Sequence, residues 1–293
     1  MGTLHQENRC IDAHHHLWSY RDTGYAWMNE KMHGLRRDFS TEDIQMVASA
    51  SGVTGTIVVE VERTAEETRW LTSMAADTSL ILGVVGWADL AAPGIAFELE
   101  QIANLPKLKG IRYPIHDEPD PNYILRDDFN RGVSALWPLG LTYDVLIFED
   151  HLPQTINFVD RHPNQVFIVD HIAKPRIRQG SFHQWRSSLL DLARRPNVFC
   201  KLSGMVTEAD WTNWTPEVLA PYIDTVLEAF GPQRLMFGSD WPLVTLASSY
   251  AEWMQIVRNQ IADLSSSERQ WILWKTASEA YGLEQIQSGP YSR

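Results

Sequence analysis

Short apolar runs recur along the chain, and most are followed by a segment with helical spacing of apolar positions. The first run, at Cys10 and Ile11, leads into three consecutive histidines. Such runs, bounded by turn residues, are typical of strands that are buried on both faces of a parallel sheet. Seven further strands are predicted at residues 56–61, 81–87, 108–113, 142–148, 166–169, 198–202 and 235–237.

Helices are predicted between these strands and after the last one. Ser40 is an N-cap signal, and the motifs at residues 64–67 and 265–268 have the form of capping boxes. The predicted helices lie near residues 40–51, 64–77, 95–103, 129–136, 153–162, 185–194, 217–230, 250–261 and 268–281. Eight alternating units predict an α/β fold, a (β/α)8 TIM barrel, as a single domain over residues 1–293. A doubly wound open sheet is the alternative, but it usually has a glycine-rich turn after its first strand, where this chain has histidines.

One long segment, residues 19–38, shows neither pattern and contains Tyr20, Tyr25 and Trp27. Loops of this length are uncommon in compact domains unless they are functional or disordered. The aromatic residues favour an ordered lid.

Composition narrows the class of protein. The net charge of -12 argues against binding to nucleic acid or to an anionic membrane surface. Cys10 and Cys200 are the two cysteines, which is too few for a disulfide framework. The N-terminus lacks an apolar signal core, and no stretch approaches the ~20 apolar residues of a membrane span. These features predict a cytoplasmic protein whose cysteines are reduced.

In a barrel of this kind the active site lies at the C-terminal ends of the strands. Side chains alternate along a strand, so His14 and His16 point the same way and His15 points the opposite way. Asp240 follows the last strand, which neighbours the first in a closed barrel, and His171 follows the sixth strand. Three imidazoles and a carboxylate are suitable ligands for zinc or a similar ion. The alternatives are a turn cap at Asp240 and a structural hydrogen-bonding role for His171.

Other polar residues also end predicted strands. Arg112 and Lys201 are predicted to face the same opening, with a structural ion pair to Glu60 or Glu149 as the alternative for Arg112 and a solvated position as the alternative for Lys201. His116 and His151 lie further into loops. Tryptophans at strand ends can line a pocket or fill the core; these are Trp18, Trp87 and Trp241.

Six motifs occur together in a fixed order: Asp-Ala-His-His-His-Leu-Trp at 12–18, Gly-Ile-Arg at 110–112, Tyr-Asp-Val-Leu at 143–146, Asp-His-Ile-Ala-Lys-Pro at 170–175, Cys-Lys-Leu-Ser-Gly at 200–204 and Phe-Gly-Ser-Asp-Trp-Pro at 237–242. With these motifs the chain resembles the amidohydrolase superfamily, and most closely its sugar-lactone hydrolases. The resemblance implies one metal and catalytic centre, formed by His14, His16, His171 and Asp240. It also implies that the substrate contacts include Arg112 and Lys201; Trp18, Tyr113, His116 and Trp241 are further expected contacts.

The resemblance further implies one divalent ion, with zinc expected. Binuclear members of the superfamily carry a bridging lysine or glutamate at the end of strand four, where this chain has Arg112 and Tyr113. The chain also has no clear histidine at the end of strand five. Because some relatives hydrolyse lactones without metal, metal-independent catalysis stays open as an alternative.

The expected activity is hydrolysis of a sugar-acid lactone, of the L-fucono-1,5-lactone or L-rhamnono- or galactono-lactone type. Asp240 would take the proton of the attacking water, and Arg112 and Lys201 would stabilise the oxyanion. The alternatives are another reaction on this scaffold (pyrone or muconolactone hydrolysis, lactone isomerisation or non-oxidative decarboxylation) and a non-catalytic sugar-acid binder. The expected partner is the small lactone substrate, and assembly into a homo-oligomer is left open.

Overall fold

A computed structural model, which describes residues 9–21, 25 and 27–283, contains eight parallel strands in barrel order. The strands are β1 Ile11–His15, β2 Gly55–Val59, β3 Ile81–Gly86, β4 Leu108–Pro114, β5 Thr142–Leu146, β6 Phe167–Val169, β7 Val198–Leu202 and β8 Leu235–Phe237. Each strand pairs with the next in the chain. β1 and β8 meet at a parallel bridge between His15 and Trp241, so the barrel is nearly closed. The predicted (β/α)8 fold is confirmed.

The helices lie between the strands and after β8. They are α1 Thr41–Ala50, α2 Ala65–Ala76, α3 Ile95–Ile102, α4 Asp127–Ser134, α5 Leu152–Asp160, α6 His183–Leu192, α7 Met205–Glu208, α8 Pro216–Phe230, α9 Tyr250–Gln260, α10 Ser266–Gln270 and α11 Thr276–Ala280. The helix predicted over 268–281 is present as an unbroken helical run, 266–280, in which a π-helical segment, Trp271–Lys275, lies between α10 and α11. The short helix α7 was not predicted.

Of the two capping boxes predicted from the sequence, one is complete in the structure and the other is half formed. Ser265 forms the complete capping box with Glu268. Thr64 accepts from the backbone N–H of Glu67, but the Glu67 carboxylate accepts from the N–H of Val61 at 3.0 Å and does not return to Thr64. The second half of the predicted box is therefore used to tie α2 to the end of β2.

Apolar side chains fill two layers. A large cluster lies between the strands and the surrounding helices. A smaller cluster inside the barrel combines strand residues such as Ile57, Val85 and Ile168 with Ala277 and Tyr281 from α11 and the residue after it. The last helix therefore closes the end of the barrel opposite the strand C-termini, which leaves the C-terminal end for polar chemistry.

The segment at residues 19–38 is joined at its ends by antiparallel pairing between Trp18 and Phe39. It contains a 3-10 helix, Glu30–Leu35, and a buried Tyr25. Residues 22–24 and 26 lie outside the described residues, so its role as a lid stays a prediction. The described helices include none that is both long and apolar enough to span a membrane.

Candidate metal centre and active site

Three histidine rings and one carboxylate meet at the C-terminal end of the barrel. The Nε2 atoms of His14 and His16 are 3.1 Å apart. Asp240 Oδ1 lies 3.5 Å from His16 Nε2, 3.8 Å from His171 Nε2 and 3.9 Å from His14 Nε2. The four predicted ligands are thus brought together. We call these three nitrogens and this oxygen the donor cluster.

The donor cluster fits a divalent ion. Ligand atoms at 2.0–2.1 Å from a tetrahedral zinc ion are about 3.3–3.4 Å from one another, close to the shorter separations in the cluster. Asp240 Oδ1 is buried and accepts no hydrogen bond from any described residue. A buried carboxylate oxygen without a partner is costly unless something outside the chain pairs with it. Imidazole nitrogen and carboxylate oxygen are also a donor set that zinc commonly binds.

The far side of each ring is held by a second group. His16 Nδ1 lies 2.8 Å from the carbonyl oxygen of Val59, and His171 Nδ1 lies 2.8 Å from Ser203 Oγ. A ring that donates its Nδ1 hydrogen keeps Nε2 free to bind a metal. His15 points the other way, as predicted, and its Nε2 contacts Thr56 Oγ1 at 3.0 Å.

The charge states suit metal binding at neutral pH. Burial lowers the pKa of His171 to about 4 and holds the pKa of His14 well below its ordinary value, so both rings are neutral. Burial opposes ionisation of Asp240, but His171 and His16 outweigh it and keep the pKa of Asp240 below its ordinary value. At neutral pH the cluster therefore includes the neutral rings of His14 and His171 and the ionised carboxylate of Asp240.

Two of the four ligands stand on left-handed backbone. Residues 171–174 all have φ between 44° and 62°, and Asp240 has φ 59°. Such a conformation costs about 1–2 kcal/mol for each non-glycine residue, and strain of this kind concentrates at functional sites. Gly204 makes room for the turn, because a Cβ at that position would lie 2.5 Å from Cγ of the His171 ring.

Asp12 fastens the two strands that carry most of the ligands. Its carboxylate accepts from the N–H and the hydroxyl of Ser239 at 2.8 and 2.6 Å, and from the hydroxyl of Tyr250 at 2.9 Å. Burial raises the pKa of Asp12 to about 6. Next to it, the N–H of Asp240 donates to the His14 carbonyl at 2.8 Å, so the first and last strands are locked together at the site.

Lys201 lies beneath the donor cluster and is completely buried. Its Nζ is 2.6 Å from Asp144 Oδ2, 2.9 Å from Asp170 Oδ1 and 3.1 Å from His14 Nδ1. The contacts with Asp144 and His14 have hydrogen-bond distances and geometry, and the contact with Asp170 is an ion pair. Lys201 therefore lies behind the His14 ring and has no exposed surface, which argues against the predicted direct contact with substrate.

Arg112 bridges two carboxylates at the side of the site. Its Nε donates to Glu60 Oε1 at 2.6 Å, its Nη1 donates to Asp170 Oδ2 at 3.2 Å, and its Nη2 donates to the Glu60 carbonyl. The ion pair with Glu60 that the sequence left open is present. A guanidinium has five N–H groups, so two remain beyond these three contacts.

Burial opposes the charge on Asp170, but Lys201 and His14 outweigh the effect of burial and hold the pKa of Asp170 well below the ordinary value.

The four other expected substrate contacts lie in different surroundings. Trp18 is 1% exposed, and its Nε1 donates to the Arg37 carbonyl, so its ring is part of the core. Trp241 is also buried and packs edge-on against Phe39. The Tyr113 hydroxyl donates to Glu118 at 2.7 Å.

His116 is only partly buried, with 16% of its side chain exposed. Burial lowers its pKa to about 3, with smaller contributions from Lys174 and Arg112, so its ring is neutral and near both cations.

Several residues of the site were not predicted. Lys174 pairs with Glu208 at 2.6 Å, is partly exposed, and is close enough to lower the pKa of Asp240. Its position in the motif at 170–175 was a usable signal. Asp144 was a second signal, because it is a charged residue in the middle of an apolar strand. Nothing in the local sequence indicated that Tyr281 reaches Asp144.

Comparison with known proteins gives consistent results. The sequence profile of the amidohydrolase family matches residues 11–283. An L-fucono-1,5-lactonase of Burkholderia multivorans is 38% identical over 286 residues, which cover 93% of this chain and 96% of the relative. An L-fucono-1,5-lactonase of Burkholderia ambifaria is 36% identical and covers 83% of each chain.

A solved structure agrees with these relatives. The crystal structure of an amidohydrolase from Burkholderia multivorans with bound zinc superposes with a TM-score of 0.90 at 38% identity, covering 94% of this chain and 99% of the other. The profile match spans nearly all of the sequence, and the motifs that carried the resemblance lie at the strand ends described above. The predicted family is confirmed: the chain belongs to the amidohydrolase family.

Proposed function

We propose that this protein hydrolyses a sugar-acid lactone of the L-fucono-1,5-lactone type to the open aldonic acid. The observation that carries the proposal is the donor cluster, in which a buried, unpaired oxygen of Asp240 faces three imidazole nitrogens. The names of the two Burkholderia relatives supply the substrate class.

The donor cluster would hold one divalent ion, for which we propose zinc, through His14, His16, His171 and Asp240. A bound zinc ion supplies Lewis acidity toward an ester carbonyl, or lowers the pKa of water toward ~7. The zinc-bound structure of the Burkholderia multivorans amidohydrolase supports the choice of metal.

Asp240 is the general base in this proposal. Its lowered pKa keeps it ionised at neutral pH, so it can accept the proton of the water that attacks the lactone carbonyl. The same carboxyl group then delivers that proton to the ring oxygen as the acyl–oxygen bond breaks. The proton taken from water thus ends on the leaving hydroxyl, and the remaining OH of water becomes part of the new carboxylic acid, which releases its proton to solvent to give the carboxylate.

Two cations are placed to stabilise the oxyanion of the tetrahedral intermediate. Arg112 has two N–H groups beyond its contacts with Glu60 and Asp170. Lys174 is partly exposed and close to Asp240. We assign the oxyanion role to Arg112 and Lys174 in place of Lys201, which has no exposed surface and is enclosed by Asp144, Asp170 and His14.

A panel of aldonolactones tests the proposal. Purified protein of measured metal content is mixed with L-fucono-, L-galactono- and L-rhamnono-lactones and with the D-enantiomers, and acid release is followed with a pH indicator. Preferential turnover of the L-fucono compound, abolished in Asp240→Asn, is the expected result. Absence of turnover with every lactone, on protein that carries its metal, would refute the proposed reaction.

A further inference from the structure

A cluster of buried polar side chains lies beneath the donor cluster, and none of them contacts substrate in the proposed reaction. It consists of Tyr281, Asp144, Lys201 and Asp170, and we call it the floor network. Asp144, Lys201 and Asp170 have no exposed surface, and Tyr281 is 2% exposed. We propose that Asp144 and Tyr281 are positioning residues that draw Lys201 away from His14 and thereby set the affinity of the donor cluster for its divalent ion. This inference rests on the metal centre of the proposed function.

The hydrogen on His14 Nδ1 decides whether the ring can bind a metal. That nitrogen lies 3.1 Å from Lys201 Nζ and 3.3 Å from Asp170 Oδ1. If Nδ1 accepts a hydrogen from Lys201, a neutral ring must carry its own hydrogen on Nε2, where the metal would bind. If Nδ1 donates to Asp170, Nε2 is free. The two contacts therefore favour opposite states of the same ligand.

Asp144 biases this choice toward metal binding. Its Oδ2 is 2.6 Å from Lys201 Nζ, a shorter contact than the one from Nζ to His14. A carboxylate is a stronger acceptor for an ammonium than a neutral imidazole. In the metal-binding state of this proposal, Lys201 directs its hydrogens to Asp144 and to Asp170 Oδ1, which is 2.9 Å away, and His14 Nδ1 donates to Asp170 at 3.3 Å.

Tyr281 fixes the carboxylate that does this. Its hydroxyl donates to Asp144 Oδ2 at 2.6 Å, and the hydroxyl of Thr142 donates to Oδ1 at 3.1 Å, so both oxygens of Asp144 are held. Tyr281 follows α11, the helix that closes the barrel from the opposite end. The residue that follows the last helix is thus connected to His14 through Asp144 and Lys201.

The test is the zinc dissociation constant of purified full-length variants, measured by competition with a chelator and accompanied by circular dichroism. We expect Asp144→Asn to raise the zinc dissociation constant about 10–100-fold. Tyr281→Phe, one step further from the metal, should raise it by less, about 3–10-fold. The matched control is Tyr143→Phe. Its hydroxyl is equally buried and lies next to Asp144 in sequence, but it contacts the Tyr113 carbonyl among the outer aromatic residues, so its zinc affinity should be unchanged.

A kinetic measurement separates positioning from general damage. Because the defect lies in metal affinity, kcat of both variants should return toward the wild-type value at saturating zinc, which a disrupted fold would not allow. Zinc dissociation constants of Asp144→Asn and Tyr281→Phe within about twofold of wild type would overturn the inference, and Tyr281→Phe alone decides it if Asp144→Asn does not fold. Wild-type protein that binds no zinc would overturn the proposed metal centre together with this inference. Wild-type protein that binds zinc but opens no lactone would overturn only the proposed substrate.

Discussion

The donor cluster and the floor network are adjacent, buried and built from similar residues, yet their polar atoms are satisfied in different ways. In the floor network each carboxylate faces a cation or a hydroxyl, as in the contacts of Lys201 with Asp144 and Asp170. Asp170 Oδ1 and Asp240 Oδ1 both lack a hydrogen-bond partner among the described residues. Asp170 Oδ1, however, has the ammonium of Lys201 at 2.9 Å, whereas Asp240 Oδ1 faces the three imidazole nitrogens of the donor cluster. A buried carboxylate oxygen with neither a hydrogen bond nor a lysine or arginine beside it marks a place where an outside group binds. The comparison therefore separates the donor cluster, whose residues act on ligands, from the floor network, whose residues hold the donor cluster in position.

The largest expected effect comes from breaking the donor cluster alone. Asp240→Asn keeps the shape of the side chain but cannot take a proton, so we expect kcat/KM to fall about 10²–10⁴-fold while the free energy of unfolding of the metal-free protein stays the same or rises. Activity, metal content and stability are measured on one sample. Asp77→Asn, at an exposed C-cap, is the control. An Asp240→Asn protein with full metal and full activity would remove Asp240 from the mechanism.

Breaking the floor network should lower the stability of the fold, in contrast to the effect expected for Asp240→Asn. Lys201→Met keeps the length of the side chain and removes the charge, which takes from Asp144 its ion-pair partner and leaves Asp170 paired with Arg112 alone among the cations. Loss of one partner of a buried ion pair typically costs 3–5 kcal/mol. We expect a loss of about that size in the free energy of unfolding, read from urea denaturation. If stability were unchanged while activity fell, Lys201 would belong with the residues that contact the substrate.

The third variant displaces the His171 side chain without replacing it. Gly204→Ala places a methyl group against the His171 ring, and we expect metal affinity to fall about 10–100-fold, as for other losses of ligand support. Gly140→Ala is the matched control, because its φ of 71° carries the same backbone penalty but a Cβ there meets nothing within 4 Å. Equal metal affinity in the two variants would show that the close contact with His171 is unimportant.

The smallest expected effect is a pH dependence that belongs to neither cluster. Burial lowers the pKa of His15 to about 3, below the ordinary 6.5, so the unfolded chain binds its proton first as the pH falls. The stability that neutral His15 contributes is present above about pH 6.5 and is lost progressively toward pH 3. At about pH 5 the loss is ~2 kcal/mol.

His15→Gln isolates this contribution. The difference in unfolding free energy between about pH 7 and pH 5 should shrink by ~2 kcal/mol in metal-free His15→Gln protein relative to wild type. Asp12, whose raised pKa of about 6 acts in the opposite direction, is present in both proteins and cancels. An unchanged difference would mean that His15 titrates normally in the folded protein.

The fold and the convergence of the donor cluster could be predicted from the sequence, for physical reasons. Strand periodicity places His14 and His16 on one side, and the barrel order brings Asp240 beside them. The same reasoning misplaced Lys201, because an inward-facing residue near the end of a strand can point toward the opening or under the ligands. The position of its three partners, which come from β1, β5 and the end of β6, decides between the two.

Other features depend on long-range packing that periodicity does not contain. Trp18 follows β1 much as Trp241 follows β8, and only the surrounding aromatic residues show that both rings are buried in the core. The bond from Tyr281 to Asp144 joins the last helix to the fifth strand. The π-helical segment at Trp271–Lys275 also lacks a sequence signal of the kind that predicts capping boxes.

The meeting of β1 and β8 has a consequence for biosynthesis. His14 and His16 lie near the start of the chain, whereas Asp240 follows the last strand, and the bonds from Ser239 to Asp12 form only when both residues are present. Contacts between such distant parts of the chain slow folding, because a long loop must close before they form. A nascent chain therefore cannot assemble the donor cluster until nearly all of the protein has been synthesised. Because an ion that binds only the native state stabilises it by mass action, metal capture would act as the final step that secures the closed barrel.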